Sequence, residues 1–155
     1  MRGFLLVMSV LGVGLADGCA GEPTVVDDGA TPAVVLAESV PVRGARSDRA
    51  SIAAASLQGD VLVLDVRFGG GCADHAFDLY AQTAFMESEP VQTRLALAHR
   101  ANGDACRALL SRELRFDLAP LRDAYRRAYG PSGRIVLHVQ EPGASGASHD
   151  LLYTF

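Results

Sequence analysis

Val61-Leu62-Val63-Leu64-Asp65-Val66-Arg67-Phe68 alternates from Leu62 onward, with Leu62, Leu64, Val66 and Phe68 on one face and Asp65 and Arg67 on the other. Period two is the signature of a half-buried strand. The pattern sets in at about Ser51 and returns along the chain. Phe77 and Leu79 alternate with Asp78 and Tyr80; Val91, Thr93, Leu95 and Leu97 oppose Gln92 and Arg94. Leu110, Leu114 and Phe116 oppose Ser111, Glu113 and Arg115; Ile135, Leu137 and Val139 form an inward row, and Leu151, Tyr153 and Phe155 close the chain. One segment has another period: Leu121, Ala124, Tyr125 and Ala128 recur at helical spacing, with Pro120 near the start and Gly130-Pro131 at the end. Arg126 and Arg127 fall in its last turn, where the helix dipole favours cations. Helices do not alternate with strands, so the pattern predicts a mainly β fold. The expected architecture is an antiparallel β-sandwich of about six to seven strands with one connecting α-helix.

The chain has 155 residues, a length for one domain. All 14 basic residues are Arg; with 18 acidic residues the formal charge is −4. An acidic chain lacks the basic patch of a nucleic-acid binder. Without Lys there is no Schiff-base chemistry and no phosphate-loop lysine.

At the N-terminus Arg2 precedes an apolar run from Phe4 to Ala16. It is shorter than the ~20 residues of a membrane span and suits the core of a signal peptide. Leu15-Ala16-Asp17-Gly18-Cys19-Ala20 resembles the lipobox of bacterial lipoprotein precursors, from which it departs at Asp17. The resemblance implies cleavage after Gly18 and a diacylglycerol on Cys19, so that the protein meets the membrane through its lipid. Ala20 is not the inner-membrane retention residue Asp, which by the same resemblance favours the outer membrane. Cleavage after Ala16 is the competing reading and would release a soluble secreted or periplasmic protein. The expected organisation is a signal peptide over 1–18, a lipidated Cys and flexible linker over 19–50, and the sandwich domain over 51–155. Within the linker, rich in Gly, Pro, Ala and acids, Val34-Val35-Leu36 has the makings of a short strand.

Cys72 and Cys106 each follow a glycine-bearing segment at a strand end. With Cys19 taken by lipid the remaining cysteines are even in number, and an exported domain experiences oxidising conditions. Both facts favour a Cys72–Cys106 disulfide. The alternative is a metal site. Cys72, His75, His99 and Cys106 together are a legitimate set for one zinc or copper ion. His138 lies on an outward face and carries no signal.

Other motifs carry little chemistry. Gly69-Gly70-Gly71 follows a strand but does not open a helix, so it is not a phosphate cradle. Ser148-His149-Asp150 has triad residue types, yet consecutive strand residues point to opposite faces. Asp74, Glu87, Glu89 and Asp104 would line a cation site only if their loops met at one end of the sandwich. The functional expectation is a cell-envelope lipoprotein in a binding or structural role, without catalysis, facing an unidentified protein or glycan partner. The alternative is a metal-binding or redox-active envelope protein.

Overall fold

The computed structural model describes residues 31–40, 47–143 and 147–155. The signal peptide, Cys19 and the first part of the linker lie outside them. The described chain forms a two-sheet β-sandwich with one helix: β1 (Val35–Ala37), β2 (Ala50–Gln58), β3 (Val61–Gly70), β4 (Ala76–Gln82), β5 (Val91–Arg100), β6 (Ala108–Asp117), α1 (Ala119–Tyr129), β7 (Arg134–Gln140) and β8 (Ser148–Thr154). A five-stranded sheet runs β1-β4-β5-β7-β8, and a three-stranded sheet runs β2-β3-β6.

The inward rows anticipated from period two meet between the sheets. Leu62, Leu64, Val66 and Phe68 of β3 face Leu79 of β4, Leu95 and Leu97 of β5, and Ile135, Leu137 and Val139 of β7 in one apolar cluster. Burying such side chains contributes roughly 1.5–3 kcal/mol each relative to exposure. The helix adds Leu121, its one fully enclosed side chain. Beside it the Tyr153 hydroxyl donates to Asp60 Oδ1 at 2.6 Å, and Arg122 pairs with the same carboxylate. Burial, followed by the Asp60 carboxylate, pushes the Tyr153 phenol well above its ordinary range.

Two features differ from the sequence expectation. First, the sandwich is not antiparallel throughout: β1 pairs with β4, and β5 with β7, in parallel. After β5 the chain leaves the large sheet, runs through β6 in the small one, and returns by way of α1. It therefore re-enters beside β5 in the same direction. Second, β2 adds a strand to the expected set, and the short strand open to Val34-Val35-Leu36 forms as β1. β2, Ala50-Ser51-Ile52-Ala53-Ala54-Ala55-Ser56-Leu57-Gln58, is mostly small residues, and its ladder with β3 rather than an apolar row makes it a strand. β1 falls where Val34-Val35-Leu36 suggested one. Val34 is buried in the core and its N–H bonds to Asp117 O at 2.9 Å, so packed structure begins inside the stretch expected to be a tether.

Candidate functional site

Cys72, His75, His99, Asp104 and Cys106 meet at one end of the sandwich, where β3 stops, β4 starts and β5 stops. Phe77 and His99 are register partners, which sets His75 just beyond the start of β4 and level with the end of β5. After β5 the chain reverses at Asn102-Gly103, both with positive φ (51° and 77°), and the Asp104 N–H closes the turn on Ala101 O at 3.0 Å. Asn and Gly are the residues that tolerate this conformation. The turn carries Cys106 back to Cys72, and the two form a disulfide, as expected.

Asp104 is the hub of this end. Its Oδ2 accepts the backbone N–H groups of Gly71, Cys72 and Ala73 at 2.8–2.9 Å, and Oδ1 accepts that of Cys106 at 2.8 Å. His75 Nε2 lies 3.1 Å from Oδ2. The donors enclose the carboxylate completely although the backbone beside it stays at the surface. The N–H groups of Cys72 and Cys106, aided by His75 and Ala73, hold its carboxyl far below the usual range, against the opposing effect of burial.

Behind Asp104 the contacts continue inward. His75 Nδ1 is 2.7 Å from His99 Nε2, and both rings are buried. An ionised carboxylate only accepts, so His75 Nε2 donates to it. The His75 ring thus bridges the carboxylate and His99, one nitrogen to each. At the inner end of this Asp104–His75–His99 relay, His99 Nδ1 has no hydrogen-bond partner of normal geometry among the described residues. Burial lowers the His99 pKa, reinforced by His75; the neighbouring backbone of Arg49 and Asp48 offsets this in part. Aromatic packing fixes the rings: His99 stacks on Phe77 at 4.5 Å, and Phe68 lies 4.7 Å from His75. Arg112 covers the group, with its guanidinium carbon 5.6 Å from the Phe68 centroid and a hydrogen bond to His75 O at 3.0 Å.

The arrangement shows where the residues of each sequence reading lie. Cys72, His75, His99 and Cys106 do converge. Their sulfurs are bonded to each other, however, and three of the four ring nitrogens lie against one another or against Asp104. With the disulfide formed neither sulfur is a thiolate ligand for zinc or copper, while both sulfurs and a carboxylate oxygen of Asp104 lie within 4.8 Å of one another. The acidic cation site is not assembled. Asp74 and Asp104 lie past the end of β5, whereas Glu87 and Glu89 precede its start, and Glu89 pairs with Arg134 at 3.0 Å. Ser148, His149 and Asp150 go separate ways, since Asp150 binds His138 Nδ1 at 2.7 Å and His149 faces Glu141 at 3.5 Å. His138, expected to be silent, also reaches Gln92 Oε1 at 2.8 Å. Sequence reasoning missed the hub role of Asp104 and the cover of Arg112. The available signal was an Asp just past an Asn-Gly turn, a position where side-chain oxygens commonly collect backbone N–H groups.

Several solved structures resemble the chain. A NigD-like immunity protein from Bacteroides caccae superposes with a TM-score of 0.57 at 19% identity, over 80% of this chain and 63% of that one. A toxin-related protein from Parabacteroides distasonis gives 0.52 at 18%, over 81% and 61%. A protein described as a lipoprotein, from Bacteroides fragilis, gives 0.50 at 12%, over 80% and 69%. What they share is the fold. At these identities the likeness extends no further, and the chain spans about three fifths of the length of the first two. No protein-family model matches the chain, and no curated protein matches it significantly. Among the described residues no helix is long and apolar enough to cross a membrane.

The relay predicts acid sensitivity. The folded-state pKa of His99 is depressed, so the unfolded chain binds a proton at His99 more readily. Stability is then full above the ordinary imidazole value near 6.5 and falls as pH drops below it. The depressed carboxyl of Asp104 acts in the same direction at lower pH, beginning below its ordinary value near 3.8. The charges facing the rings are Asp104 and Arg112, with Asp48 beside them. Melting temperature should fall from pH 7 to pH 5, and His99→Gln should flatten that slope. An unchanged slope in the variant would remove His99 as its source.

Proposed function

We propose that the protein is a lipid-anchored component of a bacterial cell envelope, its sandwich serving as a non-catalytic binding module. The cysteine arrangement carries the reading. Cys72 and Cys106 are joined, which suits an oxidising compartment, and Cys19 is left alone within a lipobox-like sequence. The buried Asp104–His75–His99 group supports a structural role for that end, because its polar atoms are turned onto each other and onto backbone rather than onto a cleft. A fold shared with a protein described as a lipoprotein agrees with this setting. In the Gram-negative case the outer membrane is the destination, and the partner is a protein or glycan.

The test is lipidation. In cells fed a labelled or alkyne-bearing fatty acid, the wild-type chain should take up label and sediment with membranes. Cys19→Ser should lose the label and the membrane association while still forming the Cys72–Cys106 bond. Equal membrane recovery of both chains, with no label on either, would reject the anchor.

A further inference from the structure

A groove of about 540 Å³ opens on the outer face of the three-stranded sheet, at the same end as the disulfide but on the other side of β3. Its walls come from all three strands and from the end of β7. Arg49 and Ser51 lead into and begin β2, Arg67 stands across from Ser51 on β3, and Leu109 of β6 stands across from Gly69. Three observations single it out.

The first is charge. Arg49 and Arg67 are both exposed, and neither guanidinium makes a hydrogen bond or ion pair among the described residues. The acid in the groove, Glu141, is engaged elsewhere: its Oε1 accepts the Ile52 N–H at 2.8 Å and lies 3.5 Å from His149 Nε2. Two guanidinium groups against this one carboxylate still leave the lining with a net positive charge. The second is an apolar side chain in an unusual place. Leu109 is 77% exposed, more than the other large exposed hydrophobics. The third is Gly69, at the floor. It lies within a strand, its φ is not in the left-handed region, and a Cβ built there meets nothing within 4 Å. Neither backbone conformation nor crowding requires glycine. A strand-interior glycine weakens the strand, and such positions recur where another group must approach the backbone closely.

Bare backbone, a stranded leucine and two uncommitted guanidinium groups together describe a small amphipathic ligand. We propose that the groove binds an organic anion. Its acid group would be held by Arg49 and Arg67, and its apolar body would lie over Gly69 against Leu109. The volume is within the range of small-molecule sites. Planar guanidinium groups suit carboxylate and phosphate alike. The proposal deepens the binding-module reading and is independent of the lipid anchor.

The experiment uses the full chain carrying Cys19→Ser, so that no acyl chain of its own competes, and follows backbone amide NMR signals on titration. Octanoate or octyl phosphate should shift Ser51, Gly69 and Leu109. Tighter binding of the first would assign a carboxylate ligand, and of the second a phosphate. Octanol should bind at least about tenfold more weakly, and Arg49→Gln and Arg67→Gln should each cost about tenfold, the scale of one charge-assisted hydrogen bond. Gly69→Val should abolish the shifts while leaving the melting temperature unchanged or raised, since valine suits a strand. Octanol binding as well as octanoate, indifference to both arginine substitutions, or undiminished binding by a folded Gly69→Val chain would overturn the proposal. Because the chain tested lacks Cys19, failure here leaves the anchor untouched, and failure of the anchor leaves this result standing.

Discussion

Replacing Cys72 and Cys106 together by Ser is expected to lower the unfolding free energy by about 3–4 kcal/mol, from the chain entropy released when a 34-residue separation is no longer closed. For a domain of this size that corresponds to a fall in melting temperature of roughly 10–20 °C. The effect is a large fraction of ordinary net stability, about 5–15 kcal/mol. Geometry adds a second expectation. Asp104 accepts the backbone N–H groups of both Cys72 and Cys106, so carboxylate and disulfide hold the same two loops. Their contributions should not add: Asp104→Ala in the disulfide-free chain should cost a different amount from Asp104→Ala in the intact one. Calorimetry on the four chains, oxidised, gives the coupling. Equal melting temperatures for the intact and Ser-substituted proteins would show that the staple contributes nothing beyond what Asp104 supplies.

Gly70→Ala should be the most damaging single-methyl change in the site, at about 2–4 kcal/mol. A Cβ at this position would lie 2.4 Å from His75 Nε2, 2.7 Å from Cε1 and 2.9 Å from Asp104 Oδ2. Those atoms are packed among Phe68, His99 and four backbone donors, so they have nowhere to go. The φ of 156° adds backbone strain for any L side chain. The neighbouring glycine is the control. Gly69→Ala meets nothing within 4 Å and should be neutral or slightly stabilising. Adjacent glycines with opposite outcomes can be read by urea denaturation of the two variants. Similar losses at both positions would mean that strand propensity, not contact with the His75–Asp104 pair, governs this end of β3.

These two glycines also show how far the residues alone could be read. Gly69-Gly70-Gly71 reads from sequence as a turn after a strand, whereas β3 runs on through Gly70. That Gly70 is required by a buried imidazole and Gly69 by nothing inside the fold depends on what packs from other strands. The same divide runs through the elements. β3, β5 and β7 announce themselves because large apolar residues alternate with polar ones, and α1 because its apolar residues change period between a Pro and a Gly. β2 does not, since Ala and Ser carry almost no burial signal and the strand exists through its ladder with β3.

By itself, the order of residues determined the local preferences: which segments extend, where the one helix starts and stops, and that two cysteines sit at turn-bounded strand ends and one in a lipobox-like leader. These follow from side-chain periodicity, backbone propensity and local composition, which act over a few residues. Tertiary structure alone decided that β5 and β7 run parallel, because that depends on β6 crossing to the other sheet. It also decided that Asp104, His75 and His99 form one relay, and that Gly69 opens a groove between two arginines while Gly70 closes on a histidine. Distances between residues 24 to 33 positions apart are set by how the sheets stack, and no local preference encodes them.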